Sequence, residues 1–539
     1  MRPPRRQGEA SVAATYLIGL DYGTESARGV LLDAASGDLA GSHVHAYRHG
    51  VMTAQLPGGA ALPRGWALQD PADYLEAAAE ILSALGRGRV IESVGVDFTA
   101  SSPMPAARDG RPLSATLPDE PHAYVKLWKH GAAQPYADEI TRRGGDFLEN
   151  FGGRISGEWM LAKAAQIAAE APGVWDAAAR FIESGDWLVW QLTGREARSL
   201  AFAAYKTQYL PQAGYPRDAV PGLAEKLAPP APIGSPAGRL SDAWRERTGI
   251  QGPATVAVAV IDSHAVLPAI GAVSTGCFVG ALGTSAVYLF LSDRDRPLPA
   301  GIEGVARDGS IRGLWCYEAG QASFGDLLTW FARAFPRSDD PAECFRQYNQ
   351  AAAEIAPGAN HLLALDWWSG NRVPHGDSGL SGLILGLNMS TTGAHIYRAL
   401  MESICFGTRS VIGLFEAGHL SIGRILLTSG LAQGNPLLVQ IMADVLDRQV
   451  EVPQVAHATA VGAAIHGAVA AGLVGDYGEG SARYGTRTVA CFAPRAEHAA
   501  TYRELYQQYA ALAGCDAVRR AMHGLNRVAP AGSDREAAA

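Results

Sequence analysis

In "YLIGLDYGTESARGVLLD", residues 16–33, two apolar runs, "LIGL" and "GVLLD", flank a polar break at Asp21-Tyr22-Gly23-Thr24. The pattern predicts two short strands joined by a tight turn. A plain two-residue hairpin would carry Asn-Gly or Asp-Gly at the bend. Here the acid stands two residues before the glycine, and a threonine follows it. Such a turn presents backbone N–H groups and a hydroxyl to an anion, with a carboxylate placed to hold a cation nearby.

A second stretch, "GALGTSAVYLFLSD" at 280–293, echoes the first: an apolar strand, Gly-Thr with a nearby serine, then another apolar strand ending in aspartate. Aligning Gly23-Thr24 with Gly283-Thr284 puts Ala281 where the first copy has Asp21. Both turns suit phosphate, and only the first brings a carboxylate to a metal. Two Gly-Thr hairpins also arise by chance in a long chain; the order of the elements around them argues otherwise. At 539 residues the chain exceeds one ordinary core, so two large domains are expected. One such hairpin per half points to a duplicated domain that grips a polyphosphate across a cleft.

Composition narrows the class further. Hydrophobic residues make up 48% and charged residues 18%, an ordinary globular balance. Against 53 acidic residues stand 45 basic ones, a net charge of −8, so no basic surplus favours nucleic acid. Cys277, Cys316, Cys344, Cys405, Cys491 and Cys515 are dispersed, with no C-x-x-C pair and no Cys/His group to indicate zinc or a disulfide framework. The start, "MRPPRRQGEASVAA", is basic but lacks the apolar core of a signal peptide. The most apolar long stretch, 254–282, is interrupted by Asp262 and His264, unlike a membrane span. A soluble, cytoplasmic protein without nucleic-acid or membrane partners is expected.

Along the chain, "PADYLEAAAEILSALG" (71–86) reads as an amphipathic helix with a glycine stop, and "VIESVGVDF" as a buried strand ending near Asp97. "GEWMLAKAAQIAAEAP" predicts a further helix halted at Pro172, and the Pro/Gly-rich "LAPPAPIGSPAGRL" (227–240) a surface connection near a domain boundary. "ATVAVAVI" predicts one strand ending at Asp262, and a long helix is expected over roughly 394–416. The expected division is a flexible extension over 1–15, one domain over 16–253, a second over 254–515, and a tail over 516–539 that is disordered beyond about 525.

Several chemistries are absent from the sequence. No lysine follows a glycine, so there is no Walker A loop; G-x-S-x-G and H-E-x-x-H are missing, and no strand–G-x-G-x-x-G–helix unit precedes a suitable acid. What remains is a set of polar groups at strand ends. Asp262 follows an apolar strand, where it could take a proton from an attacking hydroxyl or simply start a helix. Glu318 stands among small residues, suited to a substrate hydroxyl or equally to a structural network. Lys206, one of five lysines, sits in the apolar "AFAAYKTQY", where burial would demand a partner or a ligand. "SGLAQGN" (429–435) lies between a strand and a helix, a natural place for adenine or ribose and also a common connection.

The joint order of these pieces resembles the FGGY family of carbohydrate kinases, over about residues 16–513. It is carried by "GLDYGTESARG", "GVDFTASSPMPA", "LWKHGAAQ", "ISGEWMLAK", "ESGDWLVWQLTG", "YEAGQASFGD" and "LDWWSGNRVP". The first is common to the family; the Trp-Lys stretch and the last two point to its members that act on L-ribulose. The resemblance implies an α/β fold of two ribonuclease-H-like domains, of the actin and hexokinase type, with a catalytic cleft between them. It implies ATP-dependent phosphorylation of L-ribulose to L-ribulose 5-phosphate in L-arabinose breakdown, with ATP and Mg²⁺ as cofactors. Asp262 matches the catalytic base and Asp21 the acid that holds Mg²⁺ through water. Gly23, Thr24, Gly283, Thr284 and Ser285 match the two phosphate turns, and Gly430, Asn435, Gly462 and Ala463 the adenosine pocket. Ala100, Lys206, Asp262 and Glu318 match positions that contact the ketopentose, with Trp128 close by.

The expected partner is thus a small ketopentose, and a homodimer stays open. Ser429 departs from a glycine common in the family, "ILGLNMSTTGA" (384–394) is a long connection, and the Gly/Pro-rich 50–66 is expected to line the sugar side. The alternatives are another substrate of the same family (D-ribulose, D-xylulose or a pentitol) and, more distantly, an actin-like ATPase that acts on no sugar.

Overall fold

The computed structural model describes residues 14–296 and 302–528. The expected N-terminal extension therefore lies almost wholly outside the described residues, as does the end of the tail beyond 528.

The opening stretch forms the predicted hairpin. Strands Thr15–Tyr22 and Ser26–Asp33 pair antiparallel, and Leu39–Ala46 continues the meander. Val90–Phe98 then lies parallel to the first strand, so Asp97 stands in register beside Asp21. The remaining strands of this sheet are Thr255–Ala257, Pro236–Arg239 at its edge, and Val260–Ile261, which pairs with Val90–Phe98. The second sheet repeats the plan. Strands Cys277–Leu282 and Ala286–Ser292 form its hairpin, and Trp315–Gln321 and Gly304–Arg307 extend it antiparallel. Arg424–Thr428 and Val450–Pro453 add in parallel on the other side, and Val489–Phe492 closes the edge. Each hairpin is thus followed by an antiparallel neighbour on one side and parallel strands on the other, the duplicated arrangement that the echo predicts.

Two boundaries differ from expectation. The stretch 254–261, expected as one unbroken strand of the second domain, forms two short strands in the first sheet. Passage to the second sheet comes after the helix Asp262–Ala269. Likewise the tail expected from 516 is a helix, Asp516–Val528, whose Met522 is buried and whose His523 Nε2 lies 2.8 Å from Asp377 Oδ2.

Local signals account for the well-placed elements. Helix Pro71–Gly86 starts where Asp70 accepts from the amide of Ala72, with proline at its first position. Connections made of glycine and small residues hold the two halves together. Helix Ala458–Ala470, from late in the chain, lies across the first sheet. A Cβ on Gly19 would stand 1.8 Å from the Ala460 carbonyl oxygen, and one on Gly95 1.7 Å from that of Ala463. A Cβ on Gly462 would stand 1.7 Å from the carbonyl oxygen of Ala265 in the helix Asp262–Ala269. No helix among the described residues is long and apolar enough to cross a membrane.

Candidate active site

The two sheets present the carboxyl ends of their central strands to a shared cleft, as ligand sites in such sheets do. A cavity of about 280 Å³ there is lined by Thr24, Ala100, Trp128, Lys206, Asp262, Ser285 and Glu318. The residues matched to the sugar site and one residue from each phosphate turn therefore share one space.

Asp262 is the first residue of its helix, immediately after strand Val260–Ile261, and its Oδ1 accepts from the amide of Ser263 at 2.7 Å. Asp262 lines the cavity and begins the helix, but the N-cap position is held by Ile261 and no side chain caps it. Burial pushes its carboxyl up to about 7, the charges of Asp21 and Glu318 add to that, and the Ser263 amide and Lys206 oppose it.

Lys206 comes from helix Leu200–Thr207 in the first half, and its Nζ lies 3.1 Å from Oε1 of Glu318, on a strand of the second sheet. Glu318 Oε2 lies 3.1 Å from His264 Nε2, and His264 Nδ1 lies 2.7 Å from the hydroxyl of Ser310. Burial works against the ionised form of Glu318, but Lys206 and His264 outweigh it and hold the carboxyl well below the usual range.

The Gly23-Thr24 turn is braced by side chains of its neighbours. Trp128 Nε1 donates to Thr24 Oγ1 at 3.1 Å, and Gln69 Nε2 donates to the Thr24 carbonyl at 2.6 Å. The turn glycines close their own hairpins, with Gly23 N donating to Ser26 O at 3.1 Å and Gly283 N to Ser285 O at 2.9 Å. Both glycine amides are thus spent within the turns, and Thr24 and Ser285 line the cavity.

Asp21, only 5% exposed, accepts from Thr459 Oγ1 at 2.6 Å and pairs with Arg28 Nε at 3.2 Å. Beside it Asp97 is fully buried, and neither of its carboxylate oxygens has a hydrogen-bond partner among the described residues. Burial, followed by the charges of Asp21 and Asp262, pushes Asp97 well above the usual carboxylate range. Adjacent acids with an unsatisfied buried carboxylate are chemistry suited to a divalent cation. Among the described residues no group of three or more His, Cys, Asp or Glu side chains is arranged to hold a metal alone.

A second cavity, of about 1320 Å³, contains Gly283, Thr284, Ser429, Gly430 and Asn435. The turn Gly283-Thr284-Ser285 thus contributes to both cavities, Thr284 to one and Ser285 to the other. Ser429 carries the backbone at φ 125°, a region that favours glycine, and its hydroxyl donates to the carbonyl of Leu282. Gly462 and Ala463 are not in this cavity. They are buried in helix Ala458–Ala470, where Gly462 lets the helix Asp262–Ala269 come close, while Gly19 and Gly95 of the first sheet leave room for the backbone of Ala460 and Ala463. Residues 50–66 line neither cavity; Met52, Leu56 and Trp66 pack instead with Leu68 and Tyr124 in a small cluster of their own.

Other site residues escaped the sequence reading. Glu158, Glu303 and Arg372 line the first cavity, and Trp330, Arg333 and Trp368 the second. Trp368 and Arg372 lie within the flagged "LDWWSGNRVP", and Glu158 within "ISGEWMLAK", so motif membership was their one signal.

Comparison with known proteins agrees with this geometry. The model of the C-terminal domain of the FGGY family of carbohydrate kinases matches residues 279–471. A protein named Ribulokinase from Halalkalibacterium halodurans is 38% identical over 530 residues, covering 92% of this chain and 94% of that one. A Ribulokinase from Mycolicibacterium smegmatis is also 38% identical, over 93% of this chain and 94% of its own. Among solved structures, xylulose kinase from Rhodospirillum rubrum superposes with a TM-score of 0.81 at 22% identity, covering 94% of this chain and all of that one (100%). Plasmodium falciparum glycerol kinase with ADP does so with a TM-score of 0.78 at 14% identity, covering 94% and 99%. The chain belongs to the FGGY family of carbohydrate kinases. It has the two-domain, actin- and hexokinase-like fold and is an ATP-dependent sugar kinase.

Proposed function

We propose that this kinase phosphorylates the terminal hydroxyl of L-ribulose to give L-ribulose 5-phosphate, a step of L-arabinose breakdown, with Asp262 as the general base. The observation that carries the reading is convergence: Ala100, Trp128, Lys206, Asp262 and Glu318 share one cavity with Thr24 and Ser285 of the two phosphate turns. The relatives named Ribulokinase, similar over nearly the whole chain, favour this sugar.

Asp262 takes the proton of the attacking hydroxyl as the oxygen bonds to the γ-phosphorus, and ADP leaves in line. Lys206 and Glu318 are paired, and their remaining donor and acceptor capacity orients the other sugar hydroxyls. Adenosine occupies the cavity of Gly430, Asn435, Gly283 and Thr284, with its phosphates directed past Ser285 toward Asp262. Asp21, with Asp97 behind it, is where this chain would hold Mg²⁺ through water. When bound with the nucleotide, Mg²⁺ neutralises charge on the phosphate oxygens. Because the site draws on both sheets, closure of the cleft completes it and excludes water, which limits wasteful hydrolysis.

A coupled ADP-release assay with Mg·ATP tests the reading against L-ribulose, D-ribulose, D-xylulose, ribitol, L-arabinitol and glycerol. The expected result is a kcat/KM for L-ribulose at least about tenfold above those for D-xylulose and glycerol, a preference worth about 1.4 kcal/mol. Equal rates on L- and D-ribulose would broaden the substrate class, and no stimulation by L-ribulose would overturn the proposal.

A further inference from the structure

Two motifs contain buried charges that the chemistry above does not use: Lys163 in "ISGEWMLAK" and Glu183 in "ESGDWLVWQLTG". Lys163, on helix Met160–Glu170, is fully buried, and Glu183, at the end of strand Arg180–Glu183, is 1% exposed. Neither lines the cavity. Lys163 Nζ donates to the carbonyl of Ser101 at 2.7 Å and to that of Leu127 at 2.8 Å. Glu183 Oε1 accepts from the hydroxyl of Ser101, and its Oε2 from the amide of Ser102 at 2.7 Å. Ser184, the next residue, adds two bonds to the carbonyl of Ser102, from its amide at 3.1 Å and its hydroxyl at 2.6 Å.

These contacts fall on the two chain segments that form one side of the sugar cavity. Ser101 and Ser102 directly follow Ala100, and Leu127 directly precedes Trp128. The opposite charges meet on Ser101 from two directions, and they form no direct ion pair among the described residues. Burying an ammonium and a carboxylate without mutual contact is costly, and apolar residues would stabilise the same space more simply. What the charges supply is geometry. One ammonium ties both segments together, and one carboxylate fixes the hydroxyl and amide that follow Ala100.

We propose that Lys163 and Glu183 are positioning residues for the sugar. They form a buried clamp that sets the spacing between the Ala100 and Trp128 segments and so determines how tightly a ketopentose is held. The proposal rests on the assignment of this cavity to the sugar. Through Trp128 and its bond to Thr24, the clamp also reaches the first phosphate turn. Its main effect falls on sugar binding, because the adenosine cavity shares no residue with either segment.

The test is steady-state kinetics, calorimetric titration of ADP and thermal melting on the full-length enzyme with the Lys163→Met and Glu183→Gln single variants and the Lys163→Met/Glu183→Leu double variant. Each single variant leaves one buried charge with its hydrogen bonds but without the opposite charge nearby, and is expected to melt earlier. The double variant removes both charges and recovers stability. In all three the KM for L-ribulose is expected to rise about tenfold or more, since small misplacements of substrate-holding groups have large effects. The affinity for ADP should stay within about twofold of the parent. A double variant with parental stability and parental sugar KM overturns the clamp. Ser101→Ala, which deletes a single hydroxyl and leaves the Lys163 bond in place, serves as the variant that folds even if the others do not. An unchanged sugar KM there overturns the role of Glu183. If the parent enzyme turns over a different sugar of the panel, the functional reading fails separately, and the same comparison on that sugar still decides the clamp.

Discussion

Lys206 Nζ lies 3.1 Å from Glu318 Oε1, and this pair joins a helix of the first half of the chain to a strand of the second sheet at the wall of the cavity that holds Asp262. His264 on the other oxygen of Glu318 completes a buried chain of polar contacts next to Asp262. Charge removed at one point of that chain should be felt at the substrate before it is felt at the nucleotide.

Glu318→Gln keeps the shape of the side chain and removes its charge. Lys206 then loses its counter-ion inside the cavity, and the sugar hydroxyls lose a fixed acceptor. The KM for L-ribulose is expected to rise about tenfold, corresponding to one lost hydrogen bond to a charged group. The dissociation constant of ADP, measured by calorimetry, should not change.

Asp262→Ala removes the carboxylate proposed as the base. A kcat lower by about 10²–10⁴-fold with nearly unchanged ADP affinity is expected. Near-normal turnover would assign proton removal to another group.

The same carboxyl sets a pH dependence. Burial pushes Asp262 up to about 7. A base works ionised, so activity is present above that pH and is lost as pH falls through it. The kcat/KM for the sugar should level off in the alkaline range and fall about tenfold per unit on the acid side. A flat profile from pH 5 to 8 would separate Asp262 from the proton transfer.

Ser429→Gly tests the adenosine turn. At φ 125° a serine costs about 1 kcal/mol that glycine does not. Its hydroxyl bond to the Leu282 carbonyl returns about the same amount. Melting should therefore change little, while the KM for ATP moves and the KM for sugar does not.

Gly95→Val tests the close approach of the two halves. The added Cβ would stand 1.7 Å from the carbonyl oxygen of Ala463, and backbone cannot rotate away as a side chain can. The variant should lose about 3 kcal/mol of stability or more, visible as an earlier melt and a low yield of folded protein.

Much of the frame was legible in the residues because it depends on local chemistry. Helix Pro71–Gly86 announces itself by a capping aspartate, a first-turn proline and an apolar period. The two hairpins follow from apolar runs on either side of a Gly-Thr turn, and their duplication from the order of strands around them. Lys206 stood out as a charge in apolar surroundings, Asp262 as an acid at the end of a strand and Glu318 as an acid among small residues. The "ATVAVAVI" stretch misled for a related reason: a continuous apolar run cannot tell one strand from two, nor say which sheet will take it.

Two hairpins, each leading a sheet, and an acid at a strand end are set by the residues themselves, because turn chemistry and hydrophobic period act over a few residues. Packing alone brings Lys206 to Glu318, lays helix Ala458–Ala470 on the first sheet away from the cavity of Gly430 and Asn435, and brings Lys163 and Glu183 together on Ser101. Those relationships join residues far apart in the chain. They are chosen by which surfaces can approach closely and which buried charges can be satisfied there, and no short window of sequence contains both partners.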